Sequence, residues 1–302
     1  MKEQRDKKSV DRERMEKEYE TLGIRDRFIF SKVMTDKNLC IQVLRCLTGN
    51  DIEDIGDITA EKYFQITNDG KGVRYDVYVE DADDNAYDAE MQNYTYQAKK
   101  ELMLRNRYYQ SIIDNRMMES GMEYQELKDS YVIFICTFDP FGKGRRRYTF
   151  FNVCEEDKEL YADDGRTILI FNTGGCLGEL SEEAKEFLDY VENGTVRGSL
   201  SEALEEAVND ARHNKEWRSE YMKNMANYWD AKREGRTEGR TEGRAEGMEC
   251  GNATSLVNHV TKCMNKHDFS LEETLDMLGE TMEDYLKAKE IVEKYESYEI
   301  SV

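Results

Sequence analysis

The chain has 302 residues, room for one large domain or two modest ones, and 35% of them are charged. A formal net charge of −21 argues against a protein that coats polyanions indiscriminately. Seven cysteines with no CxxC spacing argue against a disulfide framework, and no stretch approaches a membrane span. With no apolar run at the start, the expected location is the cytoplasm. The acid is unevenly spread. Thr95 to Phe150 holds ten Lys/Arg against seven Asp/Glu, so this segment is locally positive and could face a phosphate backbone.

Residues 1–20 are a charged leader, frayed helix or disordered. A helix pair is predicted over Arg25 to Leu47, where Phe28, Val33, Met34, Leu39, Val43, Leu44 and Leu47 recur at helical spacing. A first strand is predicted at Tyr63 to Thr67. Two more follow, Arg74 to Val79 and Tyr87 to Gln92, joined by the turn-rich Asp81-Ala82-Asp83-Asp84-Asn85. In both, odd positions are apolar or aromatic and even positions mostly polar, the period of a strand with one face on a core. Residues opposite each other in a hairpin share a face, so matching apolar to apolar sets Asp76 against Glu90 or Gln92. Two carboxylates and an amide on one sheet face would suit a hard metal ion. A solvated polar face is the plainer reading of the same pattern.

A long helix is predicted from about Tyr96 to Ser120, with Leu102, Tyr109, Ile112, Ile113 and Met117 inward and Gly121 as its stop. The unbroken apolar run Tyr131 to Phe138 predicts a strand buried on both faces. After the turn Asp139 to Gly144, strands at Tyr148–Val153 and Thr167–Phe171 complete a mixed α/β domain of order β-β-β-α-β-β-β that ends near Gly178. Only helices are predicted beyond it: 181–191, 200–234, 253–266, 271–278 and 282–296. Between them, Gly235, Gly239, Gly243, Gly247 and Gly251 recur every fourth residue, flanked by arginine and glutamate rows. Each glycine costs about 1 kcal/mol in a helix relative to alanine. The segment is therefore either a helix whose glycine row meets a close partner or a flexible linker. The expected division is 1–20 leader, 21–178 α/β domain, 179–234 helical region, 235–251 repeat and 252–302 helical module.

Lys143, Arg145, Arg146 and Arg147 form a basic turn that could grip phosphates or simply be a solvated hairpin tip. His259, Cys263 and His267 have helical spacing, but three collinear ligands suit tetrahedral zinc poorly.

The segment from about Asp26 to Gly175 resembles the Rpn family of recombination-promoting nucleases, also described as PD-(D/E)XK nuclease family transposases. The resemblance is carried by Arg25 to Met34, by Arg74-x-Asp76-Val77 and by Glu90-Met91-Gln92-Asn93. Further on it rests on Arg105-x-x-Tyr108-Tyr109-x-Ser111 and Asp139-Pro140-Phe141-Gly142. It implies a restriction-endonuclease-like core that cuts DNA with Mg²⁺, or Mn²⁺ in its place, in recombination or mobile-element activity. Asp76 and Glu90 would be the metal ligands and catalytic acids. Gln92 would take the catalytic position where the superfamily usually has lysine, and an amide orients by hydrogen bonds but adds no charge. Arg105, Lys99 or Lys100 would supply the missing cation, in that order, and Asp26 a supporting role. Lys99, Lys100, Arg145, Arg146 and Arg147 would contact DNA, and the C-terminal helices would carry self-association. The alternatives are a non-catalytic acidic interaction protein that keeps the nuclease fold and, last, a transposase.

Overall fold

The computed structural model describes residues 2–64, 71–93 and 95–299. Two compact units divide the chain, Met1–Lys223 and Asn224–Val302.

The first unit is built on six strands: β1 Thr59–Phe64, β2 Val73–Glu80, β3 Ala86–Gln92, β4 Ser130–Cys136, β5 Arg147–Phe150 and β6 Arg166–Asn172. They lie in the order β1-β2-β3-β4-β6-β5. β1, β2 and β3 form an antiparallel meander, β3, β4 and β6 run parallel, and β5 closes the far edge antiparallel to β6. The α/β expectation and the strand order hold. The first strand starts earlier than predicted, and residues 65–67 of its expected span lie outside the described residues. β4 sits between two parallel neighbours under helices, and Val132 to Cys136 are wholly buried, hence the continuous apolar run.

Helices cover both faces. α1 (Lys2–Thr21) shows that the charged leader is helical from its second residue, and Tyr19 near its end is buried. α2 (Arg27–Val33) starts where the Asp26 carboxylate accepts the N–H groups of Phe28 at 2.9 Å and Ile29 at 3.3 Å. α3 (Lys37–Thr48) is capped the same way by Asp36 and stops at Gly49, whose φ of +80° suits glycine. α2 lies on β2 and β3. α4 (Tyr96–Met117) crosses from β3 to β4 over the other face. Beneath it Tyr75, Tyr78, Leu102, Tyr109, Ile112, Val132, Phe134 and Ile170 form one apolar cluster.

That cluster corrects the strict alternation expected of β2. Val73 and Tyr75 share it with Tyr78, and the Tyr75 and Tyr78 rings stack with centroids 5.5 Å apart. Residues of opposite parity thus face one helix, so the strand changes phase between them, at Asp76. Nor is the even face solvated: Asp76, Tyr78, Asp88, Glu90 and Gln92 are all buried, because α2 and α4 close over both sides of the sheet.

After β6, α5 (Glu182–Asn193) and α6 (Ser199–His213) pack on each other and on α2 and α3, so the first unit runs beyond Gly178. The single helix expected over 200–234 is two. Asn214 leaves helical geometry, and its side chain caps the next helix by accepting the N–H groups of Glu216 and Trp217. That helix, α7 (Lys215–His267), is continuous through the glycine repeat. In the first unit its Tyr221 packs on Tyr19 and Phe28, and Glu220 pairs with Lys32 at 2.8 Å.

The second unit contains the rest of α7 with α8 (Leu271–Leu278) and α9 (Met282–Glu299), and its small core includes Ala253, Val260, Leu275 and Ala288. Among the described residues the glycine row has no packing partner. A Cβ added at any of the five positions would meet nothing within 4 Å.

Candidate active site

The β2–β3 ladder runs from Glu80↔Ala86 to Val77↔Ala89. One further step in register would pair Asp76 with Glu90 through backbone bonds. Side chains take over instead. The Asp76 N–H donates to Glu90 Oε1 at 2.9 Å, and the Met91 N–H donates to Asp76 Oδ2 at 3.1 Å. The phase change in β2 turns the Asp76 side chain into the gap between the strands. This exchange satisfies two buried amides that would otherwise lack partners.

Two arginines close over the pair. Arg27, the first residue of α2, donates from Nε to the Asp76 oxygens at 2.9 and 3.0 Å and from Nη2 to Oδ1. Its Nη2 also lies 3.8 Å from Glu90 Oε2. Arg105, from α4, donates to Gln92 Oε1 at 2.7 Å, to Glu90 Oε2 at 3.2 Å and to the Tyr109 hydroxyl at 2.8 Å. Its guanidinium also lies over the Tyr109 and Phe134 rings. Gln92 donates from Nε2 to Glu90 Oε2 at 3.2 Å. Asp76, Glu90, Gln92 and Arg105 thus meet at one point. Asp26 has no hydrogen bond to any of these four among the described residues; it caps the helix that begins with Arg27.

Burial dominates the electrostatics. It raises the Glu90 carboxyl to about 8, with Asp76 adding to the rise and Arg27 and Arg105 opposing it. Asp76 is raised for the same first reason, against the pull of Arg27. Burial alone would lower the Arg27 pKa, but contact with Asp76 and the nearby Glu90 raises it on balance.

A third acid stands beside these two. Asp88 is wholly buried two residues before Glu90, and among the described residues neither of its carboxylate oxygens has a hydrogen-bond partner. Burial first, then Glu90 and Asp76, push its pKa well above the usual carboxylate range. The sequence reading gave it no role, although the period of two already placed it on the Glu90 side of β3.

Beside the pair opens a cavity of about 770 Å³, lined in part by Arg27, Lys71, Arg74, Arg105, Glu101 and Tyr108. Among the described lining residues four cations accompany one carboxylate, a balance that favours an anionic guest. Lys99 and Lys100 lie exposed on the first turn of α4 and are not part of this lining. The parallel strands β3, β4 and β6 end on the side of the sheet where β5 begins, with Arg147 beside Phe171. The basic turn therefore shares the sheet edge of the site, three strand spacings from β3, about 14 Å. Asp139 shapes this turn by accepting from Phe141 N–H at 3.1 Å, Gly144 N–H at 2.6 Å and the Tyr148 hydroxyl at 2.8 Å. Gly175 lets the chain after β6 lie against it, since a Cβ there would sit 2.6 Å from the Arg145 carbonyl oxygen. Arg145 and Arg147 are exposed, whereas Arg146 is partly buried and turned to Asp189 of α5 at 3.5 Å.

Among the described residues, no group of three His, Cys, Asp or Glu is arranged to hold a metal. His259, Cys263 and His267 form none either. An ion at Asp76 and Glu90 would draw on two carboxylates, the Gln92 amide oxygen and water. Such hard oxygen donors suit a small divalent cation, which needs only one or two carboxylates. The orphaned acid of Asp88 supports the fit: three buried carboxyls face two guanidinium groups, and added positive charge would relieve the excess.

The family described as PD-(D/E)XK nuclease family transposase matches residues 27–170. No curated protein and no solved structure matches the chain. No helix among the described residues is long and apolar enough to cross a membrane. The mixed six-stranded sheet with flanking helices and a helical C-terminal region is consistent with a restriction-endonuclease-like α/β fold. Residues 27–170, which span the meander, α4 and the parallel strands around Asp76 and Glu90, are thus similar to the PD-(D/E)XK nuclease family transposases.

Proposed function

We propose that the first unit hydrolyses phosphodiester bonds in DNA with the help of Mg²⁺ or Mn²⁺, and that Asp76 and Glu90 hold the ion. The observation that carries this reading is the buried Asp76–Glu90 pair at the open end of the β2–β3 ladder, beside a cavity lined with cations. Carboxylates buried at a cost in solvation, where apolar residues would pack, mark a place kept for chemistry.

A bound divalent ion supplies charge neutralisation at the phosphate and an acidified water. The chain's own groups do the rest. Gln92, held by Arg105, orients a water or a phosphate oxygen through its amide but adds no charge. The cavity cations receive the phosphate beside the acids, and Arg145 and Arg147 hold flanking phosphates along the same sheet edge, contacts that add affinity without sequence information. Lys99 and Lys100, exposed and outside the cavity lining, serve as outer contacts. A role in recombination or mobile-element activity accords with the family description. Self-association is assigned to the helices of the second unit.

A second reading has one observation in its favour. Both site carboxylates are already engaged by arginines, as suits a nuclease fold that serves as a non-catalytic, acidic interaction surface.

Incubation of purified protein with supercoiled plasmid, with Mg²⁺ or a chelator, separates the two. Nicking that needs Mg²⁺ and falls by about three orders of magnitude in both Asp76→Ala and Glu90→Ala is expected. Absence of nicking by the wild type, or nicking that survives both substitutions, would remove the assigned mechanism.

A further inference from the structure

The two arginines at the acid pair are held very differently. Arg105 divides its guanidinium among Gln92, Glu90 and the Tyr109 hydroxyl, stacks on two rings and is 25% exposed in its side chain. Among the described residues Arg27 has one hydrogen-bonded partner, Asp76, and its side chain is 42% exposed on the cavity wall. Among the described residues no hydrogen bond uses its Nη1. The backbone beneath it is fixed by the Asp26 cap, so only the long side chain is free to re-aim.

Arg27 also stands where a cation bound to the pair would stand. Its Nε and Nη2 cover the Asp76 oxygens, and Nη2 reaches toward Glu90 Oε2. We propose that Arg27 is an exchangeable counter-cation: it occupies Asp76 until a divalent ion takes that carboxylate, and then turns into the cavity to bind a phosphate. The proposal rests on the metal-dependent reading above.

The surroundings make the exchange conditional. A guanidinium that leaves Asp76 turns into a cavity whose described lining sets Lys71, Arg74 and Arg105 against Glu101, so on balance it is repelled. An anion in the cavity reverses that cost, because the fork of arginine then meets phosphate oxygens instead of like charge. Ion and nucleic acid should therefore strengthen each other's binding, and linkage requires the effect to be reciprocal. Arg27 would also supply, from outside the strand motif, the positive charge that Gln92 lacks.

Titration of Mn²⁺ by calorimetry into wild-type protein, Arg27→Gln, Arg27→Lys and Asp76→Asn, with and without a short phosphorothioate duplex, tests this without turnover. Arg27→Gln is expected to bind Mn²⁺ alone roughly tenfold more tightly than wild type, with Arg27→Lys between them. The duplex should tighten the wild-type Mn²⁺ affinity roughly tenfold and leave that of Arg27→Gln nearly unchanged. Melting curves confirm that each variant is folded, and Arg27→Lys serves if Arg27→Gln is not. Equal or weaker Mn²⁺ affinity in Arg27→Gln, or coupling that persists in it, overturns the counter-cation role while the metal-dependent reading stands. Mn²⁺ binding that survives in Asp76→Asn, or is absent from wild type and Arg27→Gln alike, overturns the metal-dependent reading and the proposal with it.

Discussion

The acid cluster of the first unit and the glycine repeat of the second both place charge at regular intervals, yet the fold treats them in opposite ways. Around Asp76, Asp88 and Glu90 it withdraws charge from water and surrounds it with strands and helices. From Gly235 to Gly251 it leaves the Arg and Glu rows in solvent, with open space beside each glycine. Burial separates the two. A charged group in water is nearly free, whereas a buried one must be offset by partners. The expensive cluster is therefore where the site is proposed, and the more conspicuous repeat is not.

Three measurements would break or sharpen that contrast beyond the nicking assay. The largest effect concerns pH. Glu90, raised from 4.5 to about 8, holds its proton more tightly in the folded state than in the unfolded one. Such a group stabilises the fold fully below its unfolded value and loses that contribution as pH rises through its folded value. In the presence of chelator, the first unit should lose on the order of a few kcal/mol between pH 5 and 9, and Glu90→Gln should flatten the slope whatever it does at low pH. Denaturant melts across that range provide the check. A flat wild-type profile would mean that the acids are better solvated than their burial implies.

Next is the basic turn. Replacing Arg145 and Arg147 together with alanine should weaken DNA binding uniformly across sequences and reduce the slope of log affinity against log salt by about 2. Fluorescence anisotropy at several salt concentrations measures both. Arg146→Ala should change that slope less, because its guanidinium is turned to Asp189.

The smallest effect lies in the repeat. Gly239→Ala or Gly243→Ala should each stabilise α7 by about 1 kcal/mol, since the added methyl meets nothing. Helix content by circular dichroism during thermal melting reads this directly. A loss of stability, or a change in oligomeric state by light scattering, would mean that the glycine row does meet a partner.

Much of this was legible before any coordinates. The period of two set Asp76 against Glu90 or Gln92, and the apolar run at Tyr131 marked the central strand. Hidden features were those in which tertiary contacts override local pattern. Nothing in β2 announces the phase change at Asp76, which only the shared cluster of Tyr75 and Tyr78 reveals. Arg27 gave no sign of its role beyond its place after a capping aspartate, because its partner lies 49 residues away. Asn214 did carry a signal: an N-cap residue directly before Lys215-Glu216 predicts a fresh helix start. The Gly235–Gly251 segment was ambiguous in sequence because helix propensity alone opposes what the fold adopts.

The exchange between Asp76 and Glu90 gives the molecule a reporter of its own. The N–H groups of Asp76 and Met91 donate to side-chain carboxylates of the neighbouring strand, so their chemical shifts and exchange rates register what those carboxylates are bound to. An ion, a proton or a freed arginine at the pair would each alter two backbone signals in the middle of a rigid sheet. Occupancy of the site could thus be followed residue by residue, on protein that is neither labelled with a probe nor turning over.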